Sequence, residues 1–300
     1  KEQKRAGNFA QNNYCKRIQV GSGKGNVMSH NLLNGSQGMG LYINGAGENI
    51  CEYNEVVAGP DVQLDAGSIY VNGGATNYGN TIRYNYLNKS TPVMRSSPYC
   101  LYLDDISSGQ FVYGNILREG RTYLHAGSYN TLYNNFTIDC GDGFKAMHNS
   151  NNYNLTATRW DGWVLTGTRY TSGQPGHYGL TWMDRFPYLY YWHSTLIGHR
   201  YNFYSDGYVP TEAADPVGWE LTSPKQNVYS NNVFVSARLS LEESIREDDE
   251  VAENNYNFNK ADVEKFQFAD YERGIYDVPE DVWAKLCPGV EPLKKNVQFG

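Results

Sequence analysis

Pairs of asparagines separated by four residues recur along this chain and constrain its fold more than any other feature. The pairs are Asn26/Asn31, Asn49/Asn54, Asn80/Asn85, Asn130/Asn135 and Asn227/Asn232, with Gln110/Asn115 as a near copy. Mostly apolar residues stand two positions after each member, such as Ile82 and Leu87, so each unit reads as strand, turn and strand. A unit of roughly 20–32 residues cannot bury its own apolar face, so the copies must stack as a solenoid.

An asparagine at a fixed turn position forms a ladder when coils stack, because its amide bonds both to backbone and to the asparagine one coil away. The irregular period and the lack of helical patterning exclude leucine-rich repeats. The pattern therefore predicts an all-β, right-handed parallel β-helix, with coils over 26–140 and 226–236. One turn should align Asn31, Asn54, Asn85, Asn115 and Asn135.

We expect a single β-helix domain over residues 1–300, to which the remaining segments add an insertion and a C-terminal cap. Residues 141–225 form a long aromatic-rich insertion, which is either a lid or a cover for one sheet face. Residues 237–300 form a helical or irregular cap, with short helices at Leu241–Arg246, Asp262–Phe266 and Glu280–Leu286. The sequence starts without an initiator Met or a signal peptide, so we expect a processed chain or a fragment whose first coils are preceded by more solenoid.

Charge and cysteine spacing exclude several classes of function. The net charge of -7, with no basic block, argues against a nucleic-acid partner. No apolar run approaches the ~18–20 residues that cross a bilayer, so no membrane span is expected. Five widely spaced Cys without a Cys-x-x-Cys pair argue against zinc, and we expect no cofactor. Cys51 occupies an apolar repeat position and is predicted to be a small core residue.

A second repeated strand alternates aliphatic residues with tyrosine. Its copies are Leu41-Tyr42-Ile43-Asn44, Ile69-Tyr70-Val71-Asn72, Leu101-Tyr102-Leu103-Asp104 and Thr122-Tyr123-Leu124-His125. With a side-chain period of two, stacked copies place the tyrosines in one outward column and Asn44, Asn72, Asp104 and His125 in a second column beside it. A wall of phenol rings beside such polar groups suits a carbohydrate polymer or oligosaccharide. Lys145 is expected to face the same groove.

Carboxylates flank two of these tyrosine strands. Asp65 lies just before the second tyrosine strand, and Asp104 and Asp105 follow the third. Because coils stack about 4.8 Å apart, these side chains should meet on one side of the groove. A pair of carboxylates can cleave a glycosidic bond, one as acid and the other as nucleophile or base, and the deeper one should have a raised pKa. The alternative is that Asp65 and Asp105 only cap turns.

Several of these runs resemble a known enzyme family. They are Asp65–Tyr70, Gly79–Asn85, Leu101–Asn115, Trp182–Leu189 and Pro288–Pro292, which occur in the order found in the pectate-lyase-like β-helix of glycoside hydrolase family 141. The resemblance implies a secreted glycosidase, with activities such as α-L-fucosidase or xylanase. Its two catalytic aspartates correspond to Asp65 and to the pair Asp104–Asp105.

The likeness has two departures. Relatives carry Gly-Arg-Asp-Trp where this chain has Gly73–Thr76, and His-Gly-Gly-Arg-Asp-Asn where it has His125–Asn130. The leading hypothesis is thus a glycoside hydrolase. A polysaccharide lyase is a second possibility, although its uronate substrate conflicts with the acidic balance. A non-catalytic carbohydrate-binding or extracellular structural protein is a third, in which aromatic faces bind sugars without chemistry. His125 either assists proton transfer or orients a sugar hydroxyl, or is a structural residue.

Overall fold

The computed structural model describes residues 4–6, 9–11, 18–21, 23–36, 39–44, 46–58, 66–71, 77–89, 99–104, 107–125, 127–147, 226–242, 250–272 and 274–293. Short strands dominate these ranges, with one 3₁₀-helix and one α-helix near the C-terminal end. Most of the predicted insertion, from residue 148 to 225, lies outside the described residues, as do Asp65, Asn72 and Asp105.

Most strands in the described ranges are three to five residues long, while β19 has twelve residues and β21 has nine. The first twelve are β1 (Lys4–Ala6), β2 (Phe9–Gln11), β3 (Ile18–Val20), β4 (Gly23–Lys24), β5 (Val27–Ser29), β6 (Leu32–Ser36), β7 (Leu41–Ile43), β8 (Ala46–Gly47), β9 (Ile50–Glu52), β10 (Glu55–Ala58), β11 (Ile69–Val71) and β12 (Thr81–Arg83). The others are β13 (Tyr86–Asn88), β14 (Tyr99–Leu103), β15 (Phe111–Tyr113), β16 (Ile116–Arg118), β17 (Arg121–His125), β18 (Thr131–Tyr133), β19 (Phe136–Met147), β20 (Val228–Ser230), β21 (Val233–Leu241), β22 (Val251–Glu253) and β23 (Tyr256–Phe258).

These strands stack in parallel into three walls of a β-helix. The first wall is an eight-stranded sheet in the order β1-β5-β9-β12-β15-β18-β20-β22. A thirteen-stranded sheet supplies the other two, because β19 pairs with β16 through its first residues and with β17 through its last. We call β2-β6-β10-β13-β16 the second wall and β3-β7-β11-β14-β17 the third wall. The predicted parallel β-helix is confirmed.

Two asparagine ladders run along the turns on either side of the first wall. In the first ladder, the side-chain oxygen of Asn49 accepts hydrogen bonds from both the backbone and the amide nitrogen of Asn26, each 2.9 Å long. The contacts continue through Asn80, Gln110, Asn130 and Asn227 to Glu250. Gln110 and Asn130 donate to the next side-chain oxygen from their backbone nitrogens, while their side-chain nitrogens bond to backbone carbonyls. The second ladder follows the same pattern through Asn31, Asn54, Asn85, Asn115, Asn135, Asn232 and Asn255. The predicted alignment of Asn31 to Asn135 is confirmed.

The residue before each rung of the second ladder adopts a left-handed backbone conformation. Examples are Tyr53 and Tyr84, with φ of 53° and 54°, and Gly114, with φ of 64°. The turn aromatics stack coil on coil, with 5.2 Å between the ring centroids of Tyr53 and Tyr84. At Gly114 an added Cβ would lie 2.6 Å from the Tyr84 ring. Glycine is therefore required there by sterics, because the ring from the preceding coil occupies that space.

The interior of the β-helix is filled mainly by apolar side chains, with at least two from each of the third-wall strands β7, β11 and β14. Ile69, Leu101 and Leu103 are fully buried and belong to one continuous cluster that runs through the stacked coils. Cys51 is also fully buried in this cluster, as predicted, and burial raises the pKa of its thiol. Each coil thus buries its apolar residues only by contact with its neighbours, as expected for a solenoid.

The segment after β23 packs against the outside of the second wall. It contains a 3₁₀-helix at Lys260–Phe266 and an α-helix, α1, at Glu280–Leu286. Phe266 and Trp283 are buried against Phe136, with ring centroids 5.7 and 5.8 Å from that ring. The two helices predicted over 262–266 and 280–286 are therefore present, and they cover one outer face of the solenoid.

The coils extend further than the sequence pattern indicated. Residues 141–147 continue β19 instead of starting the insertion. Leu241 ends strand β21, so a helix starting at Leu241 is wrong there, and 243–249 lie outside the described residues. Strands β22 and β23 add a further coil within the segment predicted to be an irregular cap. In that coil Glu250 replaces the first asparagine of the repeat, so the spacing of asparagine pairs did not predict the coil.

Removing one rung tests the contribution of the second ladder to stability. Asn85 is buried and its amide bonds to Asn115 at 2.9 Å and to the Cys51 carbonyl at 2.9 Å. We expect Asn85→Ala to lower the free energy of unfolding by about 1–3 kcal/mol, because it leaves buried partners unpaired. Denaturant unfolding measures the change, with the exposed Asn257→Ala as control, expected within about 0.5 kcal/mol of wild type. Equal effects of the two variants would contradict a stabilising ladder.

Alanine substitutions at two glycines distinguish the free energy lost to a steric clash from that lost to backbone strain. Gly114 and Gly141 have φ of 64° and 63°, but an added Cβ at Gly141 meets no atom within 4 Å. Both alanine variants bear the left-handed strain of about 1–2 kcal/mol. We expect Gly114→Ala to lose about 1–3 kcal/mol more, because the Tyr84 ring must move. Chemical unfolding of the two proteins side by side checks this, and equal losses would show that the ring yields freely.

Candidate functional site

The four repeated tyrosines lie on the outer surface of the third wall. Strand register pairs Tyr42 with Tyr70, Tyr70 with Tyr102 and Tyr102 with Tyr123, so they form the predicted column. Neighbouring ring centroids are 5.4, 5.0 and 5.1 Å apart. Tyr99 joins them where the register of β14 shifts, stacking on Tyr123 at 4.9 Å.

The column is not the open wall of rings that the sequence suggested. Tyr70, Tyr102 and Tyr123 are only 3%, 5% and 8% exposed, whereas Tyr42 is half-buried. The tyrosine side chains lie on the outer surface of the wall, as predicted. The three rings are nevertheless covered, so they do not form a surface that is open to solvent. Alternation determines which way a side chain points, while burial depends on what packs over it. The rings pack mainly on one another, which leaves their hydroxyls to form hydrogen bonds.

Asp104 is the centre of a hydrogen-bonded group at the end of this wall. Its Oδ1 lies 3.2 Å from Nδ1 of His125, which occupies the neighbouring rung of the second predicted column. The Tyr70 hydroxyl donates to its Oδ2. The Tyr102 hydroxyl also bonds to this carboxylate. Register therefore brings Asp104 and His125 together, as expected from the sequence, and the tyrosines turn out to hold the carboxylate.

These contacts decide the ionisation of Asp104. Burial is the largest single influence and raises the pKa of its carboxyl, but the hydrogen bonds from His125, Tyr70 and Tyr102 together lower it below the usual range. Asp104 is thus an ionised carboxylate at neutral pH. The pKa of Asp104 is therefore lowered and not raised, and because Asp65 and Asp105 lie outside the described residues, a general acid with a raised pKa among these carboxylates stays a prediction.

Two further charged residues lie on the same outer surface. Lys145 is the register partner of Tyr123 and therefore extends the tyrosine column, as predicted. Glu242 follows β21 and its backbone bonds to Ala146. Burial has the largest effect on the Tyr123 hydroxyl and raises its pKa. The charges of Tyr99, Glu242 and Asp104 raise it further. Periodicity in the sequence did not single out Glu242, which lies beside Met147 on the next coil because Leu241 pairs with Ala146.

The described part of the chain offers no metal centre and no membrane anchor of the helical kind. Its His, Cys, Asp and Glu side chains form no group of three or more that could hold a metal ion. No helix within the described ranges combines the length and apolar character needed to cross a membrane.

Comparisons with known proteins add nothing to this geometry. No family model, no curated protein and no solved structure matches the chain.

Replacing one donor tests how Asp104 is kept ionised. Tyr70→Phe removes a hydroxyl but leaves the carboxylate buried, so the pKa of Asp104 should rise. A depressed pKa stabilises the fold above the pKa of the unfolded carboxyl, and this contribution disappears as pH falls through the folded pKa. We expect Tyr70→Phe to lose about 1.5–3 kcal/mol at neutral pH and less below about pH 4.

Denaturant unfolding at neutral pH and at about pH 3 measures this difference. The matched control is Tyr53→Phe. Tyr53 stacks between His30 and Tyr84 in the turns beside the second ladder and not on the third wall. Its effect should not depend on pH. A loss in Tyr70→Phe that stays constant with pH would contradict the role of Tyr70 in stabilising the charged carboxylate.

Proposed function

We propose that this chain is a glycoside hydrolase whose catalytic groups lie on the outer surface of the third wall around Asp104. The observation that carries the proposal is the ionised, buried carboxylate of Asp104, which three side-chain donors hold in one position. Glycosidic bond cleavage uses one carboxylate that stays charged, to act as nucleophile or general base, and one that is protonated to act as acid. Asp104 has the properties of the first.

The acid of the proposed pair is Asp65. In the sequence it precedes β11, one repeat before Asp104, and it lies outside the described residues. The resemblance to glycoside hydrolase family 141 supports the same two positions. A secreted enzyme acting on a carbohydrate polymer is consistent with this proposal.

One observation favours a second candidate, a carbohydrate-binding protein without activity. Both oxygens of Asp104 already accept hydrogen bonds, and the residue is only 6% exposed. A carboxylate engaged in this way can be purely structural. The polysaccharide lyase is less well supported, because Asp104 and Glu242 on one surface would repel the carboxylate of a uronate substrate.

A panel of polysaccharides and chromogenic glycosides distinguishes these functions. On a glycoside that the wild type cleaves, Asp104→Asn should reduce turnover by about a thousandfold or more, because the charge that the transition state needs is gone. Asp65→Asn should have a similar effect. The control is Asp281→Asn, an exposed carboxylate on α1, which should keep wild-type turnover.

Binding of oligosaccharides, measured by calorimetry on the same proteins, separates the two candidates. Cleavage that Asp104→Asn abolishes while binding persists supports the hydrolase. Binding without cleavage of any glycoside by the wild type would instead support the carbohydrate-binding protein.

A further inference from the structure

The guanidinium of Arg121 lies on the third wall without an acceptor for its hydrogen bonds. The side chain is only 22% exposed, and its Nε is buried without a hydrogen-bond partner in the described part of the chain. Its Nη1 lies 3.9 Å from Oδ2 of Asp142, which is too long for a hydrogen bond. A guanidinium carries five donors, and burying them without acceptors costs free energy. A ligand that supplies the acceptor would remove this cost.

The carboxylate that faces Arg121 is held by another cation. Oδ1 of Asp142 accepts a hydrogen bond of 3.0 Å from Nε of Arg238. Arg238 is the register partner of Asp142 on β21, one coil further along, and its side chain is 73% exposed. The charge of Asp142 is therefore balanced mainly by Arg238. The positive charge of Arg121 is offset only in part.

Lys145 supplies a second cation on the same surface. It pairs with Tyr123, and Arg121 precedes Tyr123 by two residues on β17, so the side chains of all three lie on the outer face. Coils about 4.8 Å apart and a rise of about 3.3 Å per residue place the Cα atoms of Arg121 and Lys145 about 8 Å apart. Within the described ranges the ammonium group of Lys145 forms no ion pair. The two long side chains can therefore share one acceptor.

The charges in this part of the wall have a positive balance. Arg121, Lys145 and Arg238 are the cations, and Asp142 and Glu242 are the carboxylates. Tyr123 lies among them, since the charge of Glu242 raises the pKa of its hydroxyl and the charge of Arg121 lowers it. The whole chain has a net charge of -7, so this surface differs from the rest of the protein in sign.

The arrangement suits a ligand group with a full negative charge. The planar fork of a guanidinium binds a carboxylate or a sulfate through two parallel hydrogen bonds, and an ammonium group adds a point charge. In a carbohydrate these groups are uronate carboxylates and sulfate esters. Arg121 precedes His125 by four residues on β17, which is about 13 Å along the strand. A charged sugar bound there would lie away from Asp104.

We propose that Arg121 and Lys145 form a subsite for an anionic substituent of the glycan. This inference rests on the proposed function, because it takes the ligand to be a carbohydrate, and it adds the chemical class of that carbohydrate. The subsite holds a sugar beside the one at Asp104, so it determines which glycans bind and takes no part in bond cleavage.

Paired oligosaccharides test the subsite on the wild-type protein. Alginate, pectate and hyaluronan oligosaccharides are compared by calorimetry with their carboxyl-reduced counterparts of equal length, and carrageenan oligosaccharides with their desulfated forms. We expect the charged member of at least one pair to bind about 10-fold or more tightly than its neutral counterpart. That preference should weaken as salt rises from about 0.05 to 0.3 M. The pair that shows it identifies carboxylate or sulfate as the ligand group.

Substitutions assign the preference to these residues. Arg121→Gln and Lys145→Gln should each weaken binding of the charged member by roughly 10–100-fold and leave binding of the neutral member within about twofold. Lys145→Arg should keep most of the affinity. Asp142→Asn should strengthen binding of the charged member by about two- to fivefold, because it removes the carboxylate beside Arg121. The control is Lys285→Gln, an exposed cation on α1, which should bind as the wild type does.

The outcomes separate this inference from the proposed function. A gain of affinity in Asp142→Asn supports the subsite and cannot come from misfolding. Glycans that bind or are cleaved with equal affinity for both members of every pair would overturn the subsite and leave the carbohydrate function standing. A preference that survives in both Arg121→Gln and Lys145→Gln would also overturn it. If no glycan of either kind binds, the proposed function fails and the subsite fails with it.

Discussion

The hydrogen bond from one asparagine amide to the next is the interaction on which this structure depends. Most side-chain oxygens in the ladders accept from the backbone nitrogen of the preceding coil, and most also accept from its side-chain nitrogen. The ladder residues are buried, so an unpaired rung would leave polar atoms without water. Neighbouring coils can therefore stack only in the register that aligns the asparagines.

This register carries over to the outer surface. Because side chains alternate along a strand, fixing the turn fixes which residues stand side by side one coil apart. Asp104 and His125 are 21 residues apart in sequence yet form a contact of 3.2 Å. The tyrosines on the same wall stack for the same reason. The candidate site is thus a consequence of the ladder, although no ladder residue belongs to it.

The three walls present different outer surfaces. The C-terminal segment covers the second wall with Phe266 and Trp283. Beside the first wall, the turn aromatics stack mainly face to face, as with 4.7 Å between Tyr113 and Tyr133, so their ring faces are occupied by one another. The third wall combines buried tyrosines with Asp104, His125, Lys145 and Glu242. Of these, Asp104 and His125 are in direct contact, and the proposed site lies around this pair.

The sequence by itself determined the parts of this protein that arise from local periodicity. The spacing of the asparagines and the alternation of the tyrosine strands identified the parallel β-helix, its ladder and the pairing of Asp104 with His125. The asparagine spacing did not predict the coil at Glu250 and Asn255, because a carboxylate replaces an amide at one rung.

Only the tertiary structure decided how these side chains are surrounded. Tyr70, Tyr102 and Tyr123 point outward as alternation requires, yet they are buried by neighbours from other coils. Asp104 is buried, which alone would raise the pKa of its carboxyl, but donors from other strands lower it. Periodicity gives the direction of a side chain, whereas burial and pKa depend on distances between residues far apart in sequence, and those distances exist only once the coils have stacked.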